Sequence, residues 1–274
     1  MSRTMPSAAV LQMEIERSLA ARFPAALSPA PQALRETAST GVAAVDTLLH
    51  GGLPAGAVSE LIGAESSGRT SLALAFVASR TAEGRVCAWV DAGDAFDPES
   101  AAGNGVNLSQ LLWVRCQGTP SSPGSRDVPQ AERRRVQGLP LARLDQALRA
   151  TDLLLHAGGF AAIVLDLANT AQEHGNRIPA ATWWRFRQAA GSTHCSLVVL
   201  GRAAYAPSSA AIVLECAARQ ARTSGGTILS SLEYSVTLKR DRSACISPRP
   251  FPARRPTAST WTAQPGWTQQ TRRA

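Results

Sequence analysis

The chain of 274 residues is poor in lysine and aromatic residues and has no long apolar run. A transmembrane helix needs about 20 consecutive apolar residues, and no stretch approaches that length. The first residues do not combine a basic segment with a following apolar run, which is the pattern of a secretory signal. We therefore expect a cytoplasmic protein without a membrane span.

The cysteines favour neither a metal site nor a disulfide framework. They are scattered and include no C-x-x-C pair: Cys87, Cys116, Cys195, Cys216 and Cys245. Zinc sites and disulfide-rich domains show paired or regular cysteine spacing, and cytosolic proteins keep their thiols reduced. We predict buried, reduced thiols.

The net charge of the chain is +8, and nearly all of the positive charge is arginine because Lys239 is the only lysine. This excess favours an anionic partner, nucleic acid first. An arginine-biased genome explains the same excess without any ligand. The candidate DNA contacts lie near the C-terminal end: Lys239, Arg240, Arg242, Arg254, Arg255, Trp261 and Trp267. Tryptophan stacks on unpaired bases, so single-stranded DNA is the expected ligand; a solvated charge run or plain disorder is the alternative at each position.

Apolar periodicity divides the chain into three parts. Residues 1–37 contain an amphipathic helix pattern followed by a linker rich in proline and alanine. Residues 38–246 alternate strand and helix patterns, with a flexible inserted loop at residues 117–139. Residues 247–274 are rich in proline, threonine and arginine and are predicted to be a disordered basic tail. The alternation predicts an α/β core: a mainly parallel sheet with helices on both faces and antiparallel strands at its C-terminal edge.

The tryptophans give a prediction about packing. Trp89 and Trp113 lie in apolar strand patterns and are expected in the core. Trp183 and Trp184 are adjacent on a predicted helix, so they cannot share one face. One of this pair is expected in the core and the other at an interface or exposed.

The strongest motif is a glycine loop between a strand and a helix. Apolar residues 58–62 lead into a loop bounded by Gly63 and Gly68, and a helical pattern follows. The spacing is that of a phosphate-binding loop except that Arg69 replaces the usual lysine. Backbone N–H groups and the helix N-terminus converge there, which suits a polyphosphate such as that of ATP. The predicted nucleotide-binding residues are Gly63, Glu65, Ser66, Ser67, Gly68, Arg69, Thr70 and Ser71; an ordinary glycine turn is the alternative.

Two further residues complete the predicted site. In a working loop of this kind the hydroxyl after the basic residue ligates Mg²⁺, a role that falls to Thr70. Asp166 ends an apolar strand pattern and fits the carboxylate on the metal side, with a helix-capping aspartate as the alternative. Arg69 is not equivalent to a lysine ammonium, although a guanidinium can grip phosphate oxygens. We therefore predict weak or vestigial binding of ATP and Mg²⁺ without fast phosphoryl transfer.

The first half of the core resembles the bacterial recombinase RecA. The resemblance rests on the glycine loop and on these motifs: Ser39-Thr40-Gly41, Asp46, residues 51–56, Glu60, Val90-Asp91-Ala92, residues 95–98 and residues 163–166. It implies a RecA-like P-loop core that uses ATP and Mg²⁺. RecA carries a catalytic glutamate where this chain has Gly93, and the long glycine-containing segments that hold DNA in RecA are not evident after Arg202. The resemblance therefore implies no catalytic residue here, and Asp91 and Asp94 are the remaining candidates for orienting water.

The second half looks more like ImuA, the RecA-like accessory protein of mutagenic translesion synthesis. The similar segments are residues 184–190, 208–214 and 234–240. This resemblance implies a nucleoid-associated DNA-repair protein of the SOS response. Its partners would be DNA and a Y-family-like polymerase homologue or replicative-type polymerase. The RecA resemblance adds self-association, with a second copy bound through the N-terminal helix. The alternatives are an ATP-dependent RecA-type recombinase acting on single-stranded DNA, and a related cell-division inhibitor without DNA affinity.

Overall fold

The computed structural model describes residues 36–116, 130–224, 228–242 and 257–263, with side chains left out for residues 130–140, 224 and 228–230. Several predictions fall outside these ranges. They are the N-terminal helix and linker, residues 117–129, Cys245, Arg254, Arg255 and Trp267.

The described residues form a mixed α/β structure. Its strands are β1 (Thr37–Ala38), β2 (Leu53–Pro54), β3 (Val58–Ile62), β4 (Cys87–Asp91), β5 (Leu111–Arg115), β6 (Ala162–Asp166), β7 (Ser196–Gly201), β8 (Ala210–Ser224), β9 (Ile228–Asp241) and β10 (Ala258–Ala263). Its helices are α1 (Ala43–Leu48), α2 (Arg69–Ala82), α3 (Pro98–Gly103), α4 (Gln130–Ala157), α5 (Gln172–Gly175) and α6 (Ala180–Thr193), with a 3₁₀ turn at Leu108–Gln110.

The large sheet has eight strands in the order β10-β9-β8-β3-β7-β6-β4-β5. All pairings from β8 to β5 are parallel, whereas β8–β9 and β9–β10 are antiparallel. The predicted fold class is therefore confirmed, including the antiparallel strands at the C-terminal edge. Because the central strands are buried on both faces, they read as continuous apolar runs rather than as alternating patterns.

Local side-chain bonds explain two of the polar motifs in the sequence. The Asp46 carboxylate accepts from the Thr40 backbone N–H and hydroxyl at 2.7 Å each and from the Ser39 hydroxyl at 2.6 Å, which fixes the turn into α1. Asp97 caps α3 by accepting from the backbone N–H groups of its first turn, with Pro98 as the first helical residue. Both motifs therefore have a structural role.

Two apolar cores lie on opposite faces of the sheet. One packs α2, including Phe76, against the strands; the other packs α4 and α6, with Trp183 and Phe186. Trp89 is fully buried, as predicted, whereas Trp113 lies on edge strand β5 and is only partly buried. The prediction for the adjacent pair is confirmed, because Trp183 is 1% exposed and Trp184 is 59% exposed. Four cysteines are buried free thiols, also as predicted: Cys87, Cys116, Cys195 and Cys216.

The structure corrects two boundaries drawn from composition. Helix α4 begins at Gln130, so residues 130–139 are helical rather than part of a flexible loop. Residues 258–263, expected within a disordered tail, form β10 and pair with β9 in register Trp261↔Tyr234. Its alternating threonine, serine and tryptophan side chains fit a half-buried strand. Among the described residues, no helix combines the length and the apolar character needed to cross a membrane.

Candidate phosphate-binding site

The predicted site residues meet at the carboxyl edge of the parallel strands. The register places Asp91 beside Asp166 and Asp166 beside Leu200, while Ile62 lies beside Gly201. The glycine loop after β3 and the turns after β4, β6 and β7 therefore share one edge. In open α/β sheets this edge is where ligands bind.

The backbone of the loop is shaped to receive an anion. Ser66 and Gly68 have positive φ angles of 59° and 86°, and α2 begins immediately after them with 14 residues. Alternation of this kind turns successive N–H groups toward one point, and the first N–H groups of a helix have no intrahelical acceptor. A Cβ atom at position 68 would lie 2.6 Å from the Tyr234 ring, so only glycine fits. The loop thus has the geometry of a phosphate-binding loop.

Arg69 lies inside the loop and is 5% exposed. Its Nη1 atom donates to the carbonyl oxygens of Gly63 and of Ala64, the latter at 3.0 Å. Burial lowers the pKa of Arg69, and the nearby Asp166 carboxylate opposes that shift. Two buried groups of the loop, Arg69 Nε and Ser67 Oγ, have no hydrogen-bond partner among the described residues. Such orphaned groups call for a ligand or ordered water.

Asp166 is 7% exposed and its Oδ1 atom accepts from the Ala168 backbone N–H at 2.9 Å. Burial raises its pKa to about 6, and the neighbouring Asp91 adds to that shift while Arg69 opposes it. Thr70, the other candidate Mg²⁺ ligand, is exposed. The Asp166 carboxylate therefore has a cationic neighbour in Arg69 and an anionic neighbour in Asp91.

The two candidates for orienting water are engaged in holding the turn after β4. The Asp91 carboxylate accepts from the backbone N–H groups of Gly93 and Ala95 at 3.1 Å and of Phe96 at 2.8 Å. The Asp94 carboxylate forms a bidentate ion pair with Arg115, with N···O distances of 2.8 Å and 3.1 Å. A catalytic role for either carboxylate stays a prediction, and the structure shows another role for both.

A residue from another element occupies the space beside Gly93, the position at which RecA carries its catalytic glutamate. A Cβ atom on Gly93 would lie 2.9 Å from Asn169 Cβ, closer than real Cβ atoms approach one another. Asn169 belongs to the turn after β6, so the turns after β4 and β6 are packed together at this point. Sequence reasoning missed Asn169, because no motif marks it.

Arg202 is a second residue that sequence reasoning missed. It follows β7 directly, and its Nη2 atom pairs with the Glu65 carboxylate in the glycine loop. Its Nε atom donates to the carbonyl oxygen of Ala168, two residues after Asp166, at 3.3 Å. The one available signal is its place immediately after an apolar strand. Arg202 therefore links the loop to the turn after β6.

The C-terminal strands cover one flank of the loop. The Tyr234 ring packs on Gly68. The Trp261 ring stacks on Tyr234 with ring centroids 4.9 Å apart and an interplanar angle of 36°. Trp261, a candidate for stacking on DNA bases, is thus partly buried against a protein ring.

The other described candidates for DNA contact have protein partners near the start of β8. Lys239 pairs with Glu215 at 2.8 Å. Arg240 and Arg242 donate to the backbone carbonyls of Pro207 and Ser208, the latter at 3.0 Å. Lys239 and Arg242 are exposed at the surface, so their contact with DNA stays a prediction.

Comparisons with known proteins agree with this geometry. Residues 10–119 match the RecA N-terminal domain family. Protein RecA of Nostoc sp. is 43% identical over 99 residues, which cover 36% of this chain and 28% of that protein. Protein RecA of Methylobacterium sp. (strain 4-46) is 39% identical over 132 residues, which cover 48% of this chain and 30% of that protein. The matched part therefore spans less than a third of the length of these relatives.

A solved structure extends the likeness of the fold beyond the matched sequence. The crystal structure of the RadB recombinase aligns with a TM-score of 0.52 and 17% sequence identity, over 83% of this chain and 96% of that one. At this identity the alignment shows the fold alone. Residues 10–119 are therefore similar in sequence to the RecA N-terminal domain, and the fold is similar to that of the RadB recombinase.

Proposed function

We propose that this chain is a DNA-repair accessory protein of the RecA-like superfamily, close to ImuA, that supports error-prone translesion synthesis without turning over ATP. The observation that carries the proposal is the closed space at Gly93. A side chain there would meet Asn169 at 2.9 Å, so the site has no room for the glutamate that RecA places at this position. The fold and the anion-shaped loop are retained, but the water-activating group is not.

The loss of the glutamate weighs heavily because hydrolysis needs a group that orients or deprotonates water. General acid–base assistance of this kind contributes about 10²–10⁴ in rate. The neighbouring carboxylates of Asp91 and Asp94 are held by backbone N–H groups and by Arg115. If either carboxylate were used to orient water, the hydrogen bonds or the ion pair that now hold it in the turn would be lost. These contacts therefore favour a loop that binds phosphate without hydrolysing ATP over a loop that catalyses hydrolysis.

The partner surface we assign to this function lies on α6. Trp184 is 59% exposed, and Arg185 beside it pairs with Asp152 of α4 at 3.2 Å. An exposed tryptophan on a rigid helix is a typical anchor of a protein interface. We propose that this face binds the Y-family-like polymerase homologue or replicative-type polymerase. The net positive charge of +8 would contribute contacts with DNA, and self-association would use the N-terminal helix.

The experiment that tests the accessory role measures DNA and polymerase binding on separate variants. DNA binding by the whole protein should fall steeply with salt, with a log–log slope of about −0.7 for each single-stranded phosphate contacted. Trp184→Ala should weaken binding to a purified polymerase partner by about tenfold or more and leave DNA binding unchanged. Leu153→Ala, at a position that is 72% exposed, is the matched control and should do neither. Absence of both DNA and polymerase binding would contradict the proposal.

The ATP-dependent recombinase is the second candidate, and the retained loop geometry favours it. The positive φ angles of Ser66 and Gly68 are those an active loop needs. A recombinase requires DNA-stimulated hydrolysis, which the accessory protein does not. ATP turnover in the presence of single-stranded DNA therefore separates the two.

A further inference from the structure

Two arginine side chains face the glycine loop from different elements. We propose that Arg69 and Arg202 together bind a polyphosphate anion without a divalent cation. The ligand could be the triphosphate of ATP or a free polyphosphate, which share this chemistry. The inference rests on the proposed phosphate-binding role of the loop and adds how the ligand's charge is neutralised.

Arg69 supplies the buried part of this site. Its Nη1 atom is bonded to the loop carbonyls of Gly63 and Ala64, which fixes the guanidinium within the loop. Within the part of the chain that the structure describes, its Nε–H and the Ser67 hydroxyl are buried without a partner, and both residues are at most 5% exposed. These two unpaired donors lie at the N-terminus of α2, where the first backbone N–H groups also lack acceptors. An anion would pair all of them.

Arg202 supplies the movable part. Its side chain is 46% exposed and pairs with Glu65, whose side chain is 71% exposed. An exposed pair of this kind is worth little and can exchange partners at low cost. A phosphate oxygen in the loop would offer Arg202 a second anionic partner, since the guanidinium fork binds phosphate as well as carboxylate. Its Nε–H, bonded to Ala168 at 3.3 Å, keeps the arginine at the loop mouth.

The groups assigned to Mg²⁺ are less suited to their role. The Asp166 carboxyl is buried and bonded to the Ala168 N–H, and Arg69 is its cationic neighbour. Binding Mg²⁺ would place a divalent cation beside that guanidinium. Two guanidinium groups, in contrast, bring two positive charges without any metal. This arrangement departs from the metal-dependent loops of P-loop proteins.

The position of the unpaired donors indicates which part of a nucleotide is recognised. The Tyr234 ring lies on Gly68, immediately before the first turn of α2, and covers one flank of the loop. Among the described residues, two unpaired donors at this end of the sheet lie in the glycine loop itself, on Arg69 and Ser67. We therefore expect the phosphate chain to contribute most of the affinity, and the nucleoside little.

Calorimetric titration of the full chain tests the proposal, with sodium triphosphate and with ATP, each in EDTA and in Mg²⁺. Both ligands should bind in EDTA at least as tightly as in Mg²⁺, because the cation competes with the arginines for phosphate oxygens. Similar affinities for the two ligands would identify the phosphate chain as the ligand; clearly tighter ATP binding, still in EDTA, would identify the nucleotide. Binding that requires Mg²⁺, or no binding of either ligand, would overturn the proposal.

Variants at the loop mouth give opposite shifts. Arg202→Gln should weaken binding by about tenfold, the value of one charge-assisted contact. Glu65→Gln should strengthen it, because Arg202 is released, and should have no effect in the Arg202→Gln background. Arg149→Gln, at a side chain 79% exposed on α4, is the matched control and should change nothing. Equal affinity of the Arg202→Gln and wild-type proteins would refute the role of Arg202. DNA and polymerase binding are measured separately, so failure here leaves the accessory role standing.

Discussion

The packing of Gly93 against Asn169 can be tested by a double-mutant cycle on stability. The perturbation is Gly93→Ala, which adds one Cβ atom at 2.9 Å from Asn169 Cβ and 3.1 Å from Asn169 Nδ2. Overpacking of this kind typically costs about 1–3 kcal/mol. Asn169→Ala would not relieve the contact, because the closest atom is the Cβ that alanine keeps. Asn169→Gly removes it.

The expected result is a coupling between the two positions. Gly93→Ala should lower the free energy of unfolding by about 1–3 kcal/mol in the wild-type background. In the Asn169→Gly background the same change should be close to neutral, which gives a coupling of similar size. Denaturant titration followed by circular dichroism measures all four proteins, with the slope checked for two-state behaviour.

A matched glycine serves as the control. Gly103 ends α3, has no atom within 4 Å of its would-be Cβ and does not have a positive φ angle. Gly103→Ala should therefore be neutral or stabilising by up to about 1 kcal/mol. If Gly93→Ala is equally harmless, or costs the same with and without Asn169, the reasoning that the glutamate position is closed is refuted.

Three further outcomes are expected. Gly68→Ala should lower the free energy of unfolding by at least about 1–3 kcal/mol, because the φ angle of Gly68 is 86° and the new Cβ would meet the Tyr234 ring. Thermal unfolding measures this effect, and an unchanged unfolding midpoint would contradict the prediction. Burial raises the pKa of Glu60, whose Oε2 atom has no partner among the described residues. The stability associated with the protonated carboxyl is therefore present at low pH and is lost as the pH rises above the ordinary pKa of 4.5. Glu60→Gln should remove that pH dependence while keeping the acceptor for the Tyr205 and Ala206 N–H groups, and parallel pH–stability curves for the two proteins would refute the assignment. Trp261→Ala should speed amide hydrogen exchange in the β9–β10 ladder and leave the β4 amides protected, because Trp261 stacks on Tyr234. Equal exchange rates at the ladder in the variant and the wild type would show that this stacking does not hold β10 in place.

The sequence predicts the parts of this fold whose signal is local. Strands such as β6 are continuous apolar runs ended by a carboxylate, and the glycine loop has a fixed spacing, so both are readable without a structure. Helical positions 183 and 184 differ in burial because one turn cannot place both on one face. Strand β10 was missed because its half-buried pairing with β9 depends on Trp261 meeting Tyr234, a contact far along the chain.

The site itself was predicted only in part, for a similar reason. The loop residues and Asp166 follow motifs along the chain, but Arg202, Asn169 and Tyr234 reach the loop from other strands and turns. Apart from the position of Arg202 directly after an apolar strand, nothing near them in sequence marks their role. Their contacts with Glu65, Gly93 and Gly68 appear only when the parallel strands are brought into register.

The most direct test of the central claim is ATP hydrolysis by the wild-type protein with and without single-stranded DNA, beside Arg69→Lys. The account predicts no turnover above background in either protein, since lysine in the loop does not supply the glutamate missing at Gly93. DNA and polymerase binding should persist in the same preparations. DNA-stimulated hydrolysis by the wild type would contradict the account and identify an active recombinase.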